Sequence, residues 1–282
     1  MSTPRHPGGI ANDKGTDMNT ASNPSRNHAH REHCTGPQIL LATTLLTFTA
    51  AGFAHGPDKH SAGIQSQASE TVQAPFDIVH TKISTEGNIA TFHIAVSGKA
   101  GASKPAPTGQ LAGSNVFSYV WPTSLDPYLV GFEHKSGILA FAVTAHPDFD
   151  DTPLFDENGD GKFDNDGNLW HSHWVVLQPD DACGKGALKV VDIAKGSKPR
   201  LPRTWPGLPI LIDSPGWTPV FDNDSLEVRV PFDDIGAVNA ASFDGVTAGL
   251  RVNASVHNPL LCVVNVFKVA SGDLSLPGKV GQ

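Results

Sequence analysis

The chain has 282 residues with 20 Lys+Arg against 28 Asp+Glu, and 39% of it is hydrophobic. A net charge of −8 is a poor electrostatic match to nucleic acid or an anionic lipid surface, so both partners are set aside. That hydrophobic content, with many Gly and Pro, argues for a globular, loop-rich chain rather than a disordered one.

Residues 39–54 (ILLATTLLTFTAAGFA) form one uncharged apolar run. It is short for a membrane span, follows Arg26 and Arg31, and ends in small residues. That pattern predicts a secretory signal cut near Ala51 or Ala54, with Met18 as an alternative start. The leader, residues 1–54, takes four of the basic and three of the acidic residues, and the remainder carries 16 against 25. The expected destination is the periplasm, the outer surface or the medium, with no membrane span once the leader is removed. Cys34 and both methionines, Met1 and Met18, leave with it, which excludes thioether-ligated copper or haem. Cys183 and Cys262 remain, as a disulfide or as two thiols for a soft metal.

Residues 55–73 are polar and Ser/Gly-rich, and the reading makes them a mobile segment with order from near Ala74. From there the hydrophobic period is two. Strands are expected at 76–83 and 88–97 around the turn Ser84-Thr-Glu-Gly87, at 116–121, and at 129–133 and 138–145 around His134-Lys-Ser-Gly137. Further strands are expected at 170–177, 187–193, 226–230, 246–252 and 261–269. Residues 198–219 hold too many prolines for a helix or a central strand. No window predicts a long amphipathic helix. The fold class is therefore all-β, a single antiparallel β-sandwich over residues 74–282 with long Pro-rich and acidic loops.

The acidic loop carries the sharpest motif. In Asp156-Glu-Asn158-Gly-Asp160-Gly161-Lys162-Phe-Asp164-Asn-Asp166-Gly167, oxygen side chains recur at every second position before a Gly, as in the first nine positions of an EF-hand loop. Calcium is expected on Asp156, Asn158, Asp160, Asp164 and the Lys162 carbonyl. The twelfth position is Gly167 rather than Glu, so Asp166 or the upstream Asp148, Asp150 and Asp151 would supply the missing oxygens.

Next comes Trp170-His171-Ser172-His173-Trp174. On a strand His171, His173, Val175 and Leu177 share one face, and Trp170, Ser172, Trp174 and Val176 the other. Two imidazoles at i and i+2 can bind one transition ion, with His93 or His146 and Trp121 as candidates to complete the site. A cut after Ala54 would make His55 the N-terminus, five residues before His60, a second chelate for copper. His80, His134 and His257 read as surface residues.

This combination of an exported β-rich chain, a calcium loop, paired histidines and a ligand tryptophan resembles the surface copper-binding proteins of methanotrophs, the MopE/CorA group. The resemblance implies Cu(I) on two histidines and an oxidised tryptophan. Here that maps onto His171 or His173, His93 or His146, and Trp121. Strand order also resembles DOMON and family-9 carbohydrate-module sandwiches, in fold only. The implied function is an exported metal-binding protein with copper and calcium as cofactors. The alternative is a binding module for haem or for sugar, the latter on Trp205 and Trp217. No GxSxG, HExxH or paired-carboxylate arrangement marks an enzyme.

Overall fold

In a computed structural model, residues 62–152, 156, 158–254 and 259–282 are described. The leader, His55, His60 and His257 lie outside the described residues. Among the described residues, fourteen strands and one short α-helix follow in chain order. They are β1 (Ile64–Gln65), β2 (Ile78–Glu86), β3 (Ile89–Val96), β4 (Asn115–Pro122), β5 (Ile138–Ala145), β6 (His171–Pro179), β7 (Leu188–Val190), β8 (Ile212–Asp213), β9 (Val220–Asp222) and β10 (Ser225–Pro231). The helix α1 (Ile235–Asn239) precedes β11 (Ser242–Phe243), β12 (Val246–Val252), β13 (Leu261–Val269) and β14 (Gly278–Lys279). All named strand pairs are antiparallel.

The topology departs from a single sandwich. One sheet runs β1-β2-β3-β10-β9, and β11 with β14 forms a two-stranded pair. The other large sheet runs β5-β4-β12-β13-β7-β6-β8, and β5 also pairs with β6 from Ile138↔Leu177 to Thr144↔His171, so six strands close into a barrel with β8 appended to β6. The physical reason is visible in β5. Its large side chains Leu139, Phe141 and Val143 join one apolar core while Ala140 and Ala142 join another. A strand buried on both faces, small on one side, suits a narrow barrel wall. Register shifts between β12 and β13 at Thr247/Ala248 and Gly249/Leu250 add the local twist that closure needs.

The two faces make two cores. Phe92, Ile94, Val228 and Val230 of the five-stranded sheet pack on Tyr119, Trp121, Phe141 and Trp174 from the outside of the barrel. Aromatic edges lock this layer, with Phe92 5.6 Å from Trp121 and 5.8 Å from Trp174 between ring centroids. Val120, Ala142, Val175, Leu177 and Leu250 line the barrel interior. Cys183 and Cys262 form a disulfide with Cα atoms 5.3 Å apart, joining the short helical turn at Asp181–Cys183 to β13.

Several element boundaries differ from expectation. Residues 129–133 are not a strand: Asp126 caps a 3₁₀ turn at Pro127–Val130, Pro127 starts it and Gly131 at φ 110° stops it. The first hairpin turns at Gly87 and Asn88, at the end of the expected Ser84–Gly87 turn rather than across it, because β2 runs on to Glu86; Gly87 has φ 59°. Pairing already begins at Ile64–Gln65 against β2. His80 is buried rather than superficial, its Nε2 donating to the Ala62 carbonyl at 2.7 Å. Among the described residues no helix is long and apolar enough to cross a membrane.

Candidate metal centre

The long loop from β5 to β6 leaves and re-enters adjacent barrel strands, so its two ends are brought together. His146 follows the last residue of β5, while His171 and His173 lie on β6 facing the barrel interior with Val175 and Leu177. Register places His171 opposite Thr144 and His173 opposite Ala142. Asp151, in the loop, completes the group. One ligand atom from each of His146, Asp151, His171 and His173 lies within 4.8 Å of all the others, and all four residues are buried.

The distances are those of a group that could hold a metal ion. Asp151 Oδ1 is 3.3 Å from His146 Nε2, 3.5 Å from His171 Nε2 and 3.7 Å from His173 Nε2. His146 Nε2 and His171 Nε2 are 2.9 Å apart. A tetrahedral ion with bonds near 2.0–2.1 Å sets its ligand atoms about 3.3 Å from one another.

Tautomers strengthen the case. His146 Nδ1 donates to the Phe149 carbonyl at 2.8 Å, and His171 Nδ1 donates to the Leu169 carbonyl at 2.9 Å. His173 Nδ1 lies 3.3 Å from the Asp213 carbonyl and 3.1 Å from Ser214 Oγ. A carbonyl only accepts, so each Nδ1 carries a proton and Nε2 is the ring atom turned inward, a metal ligand once its own proton is gone. Three nitrogen lone pairs and one carboxylate oxygen converge on one point. His173 Nε2 and Asp151 Oδ1 have no hydrogen-bond partner of acceptable geometry. Unpaired buried acceptors are costly, and a cation between them would relieve both.

Charge in the cluster follows the same logic. Burial pushes the Asp151 carboxyl up, but the neighbouring His173 and His146 outweigh it and hold it well below the usual range. Burial also opposes charge on His146, yet attraction to Asp151 wins and raises its pKa. His173, desolvated and facing its fellow imidazoles, falls to about 3.

The surrounding backbone is fitted to the site. A Cβ on Gly167 would stand 1.9 Å from the Phe149 carbonyl oxygen and 2.9 Å from His146 Nδ1. Gly167 also accepts from the His146 amide at 2.7 Å. From the Pro-rich loop, Ser214 Oγ approaches the Asp151 carbonyl at 3.3 Å, so that loop braces both Asp151 and His173.

Of the residues singled out from the sequence, His146, His171 and His173 meet, and His93 and Trp121 are not in the group. His93 sits on β3 with its ring 5.6 Å from His80. Trp121 is fully buried among Phe92 and Phe141, its Nε1 donating to the His93 carbonyl. Trp205 bonds through Nε1 to the Leu208 carbonyl and Trp217 packs near Phe141, so both are half-buried. Asp151 was not singled out as a histidine partner. The available signal was its position between two strand ends that each deliver an imidazole.

The acidic loop forms a ladder of its own. Asp156 accepts from the amides of Gly159, Asp160 and Gly161, Asn158 from Asp160, and Asp160 from Lys162. Asp164 is exposed outside that ladder. Asp166 is buried in a 3₁₀ turn, its amide donating to Asp150. The upstream acids are engaged elsewhere: Asp148 by Thr108 and Gly109, Asp150 by Thr152, and Asp151 by the histidines.

No protein-family model, curated protein or solved structure matches this chain.

Proposed function

We propose that the protein is an exported metal-binding protein that holds one divalent first-row transition ion on His146, His171, His173 and Asp151. The observation that carries this reading is the convergence of three Nδ1-anchored imidazoles and one carboxylate on a single buried point. Three borderline nitrogens and one hard oxygen favour a divalent ion over Cu(I), for which a set without carboxylate is the better host. Zn(II) fits the near-tetrahedral spacing best. Cu(II), which binds imidazole more tightly than Zn(II), is the form in which copper would enter. The disulfide favours an oxidising compartment and hence export.

A haem on the same residues is disfavoured by space. The neighbouring cavity is about 160 Å³, below the roughly 300 Å³ at which cofactor sites begin. The amide ladder under Asp156, Asn158 and Asp160, with Gly161 at φ 83°, supports a second ion of a different kind, a structural calcium in the acidic loop.

The test is elemental analysis of the protein loaded with Zn(II) or Cu(II) and dialysed. One transition ion per chain is expected, and none in a variant carrying His171→Ala with His173→Ala. Equal metal content in both proteins, or none in either, refutes the assignment.

A further inference from the structure

The barrel interior is not filled. A cavity of about 160 Å³ runs inside it, walled almost wholly by apolar atoms of residues such as Val120, Val175, Ala248 and Leu250. His146, Asp151 and His173 line the same cavity, so the proposed metal centre forms part of its wall. Leu111, Val266 and Leu274 also line it while standing 49%, 52% and 40% exposed, which gives it an apolar mouth.

The polar features of the wall are few, and one is spare. Ser118 Oγ donates to the Ala248 carbonyl. Thr144 Oγ1, on β5 opposite His171 and two residues before His146, is buried and has no hydrogen-bond partner. A buried hydroxyl without a partner marks a place for a ligand atom. Dry apolar cavities of about 150 Å³ take up molecules of benzene size.

Resting on the metal assignment above, we propose that this cavity binds a small apolar monoanion, its ring or short chain inside the barrel and its anionic head added to the metal as a fifth ligand. Charge balance selects the head. A divalent ion on three neutral imidazoles and one carboxylate leaves one positive charge in a wall with no other charged side chain among its residues. A single carboxylate, phenolate or thiolate neutralises it, and Thr144 donates to the head from the side. A dianion or a sugar would bury charge or hydroxyls against hydrocarbon without partners.

The test uses benzoate as the probe on the Co(II)-loaded full chain, followed by cobalt visible absorption. Benzoate is expected to change the spectrum saturably and to bind at least tenfold tighter than acetate, which has the head without the body. Ala248→Leu, which fills the cavity away from the ligand residues, is expected to abolish the benzoate response at unchanged cobalt content. Thr144→Val is expected to weaken it about tenfold. Equal binding of benzoate and acetate overturns the proposal, as does a wild-type benzoate response in a folded Ala248→Leu protein. A chain that retains no cobalt refutes the metal assignment itself, a different failure that is read before any benzoate is added.

Discussion

Gly167→Ala isolates the architecture of the centre without touching a ligand. The new Cβ would lie 1.9 Å from the Phe149 carbonyl oxygen and 2.6 Å from that of His146, both backbone atoms that cannot rotate away. An ordinary carbon–oxygen contact is about 3.3 Å, so the 146–149 turn must shift by about 1.4 Å. That carbonyl of Phe149 is the acceptor that orients the His146 ring. Metal sites tolerate ligand displacements of about 0.2 Å, and losing an orienting partner weakens binding about 10- to 100-fold. The expected result is a Zn(II) affinity lower by that factor, measured by competition with a chromophoric chelator. Gly236→Ala, in α1 and away from the site, serves as the control and leaves affinity unchanged. Wild-type affinity in a folded Gly167→Ala protein would refute the reasoning that this turn positions His146.

Acidity gives a second handle. In the metal-free protein His146 has its pKa raised above the usual 6.5, so below that pH a metal must displace its proton and affinity falls about tenfold per pH unit. His173, at about 3, adds nothing over that range. The stability of the metal-free protein runs the other way. The pairing of protonated His146 with Asp151 is fully present below pH 6.5 and is lost as pH rises through the raised pKa, and bound Zn(II) removes that loss; thermal melts with and without metal check both signs. Reducing the Cys183–Cys262 bridge, with a sequence separation of 79, is expected to cost about 4.5 kcal/mol by loop-closure entropy, read from denaturant midpoints. In the acidic loop, Asp164→Ala is expected to abolish calcium-induced thermal stabilisation while leaving calcium-free stability unchanged, because Asp164 stands outside the amide ladder; a calcium response equal to wild type contradicts calcium at that position.

Much of the strand content was legible from period-two patterning. β5, β12 and β13 begin and end where that pattern does; in β5 and β12 nearly every residue is buried, so both faces are constrained. The alternation through Trp170–His171–Ser172–His173–Trp174 separated an imidazole face from an aromatic face, and the structure assigns these to the barrel interior and the layer outside it. Closure was not legible, since alternation states which face is buried and not whether β5 meets β6. The sign that was present, Leu139-Ala-Phe-Ala-Val143, required reading side-chain size as well as polarity. The turn at Pro127–Val130 was missed because Tyr-Leu-Val has strand propensity that the Asp126 cap and Pro127 override. His93 was indistinguishable from His146 by residue type. Only the register of β5 and β6 sends one imidazole to the cluster and leaves the other on the separate sheet beside His80. Asp151 was hidden among neighbouring acids that look alike in sequence and face different partners in space.

An anomalous difference map, collected at the zinc absorption edge on crystals soaked in Zn(II), addresses the metal centre most directly. One strong peak is expected about 2.0–2.2 Å from the Nε2 atoms of His146, His171 and His173 and from Asp151 Oδ1. A map with no peak there, or with zinc only in the exposed acidic loop, would contradict it.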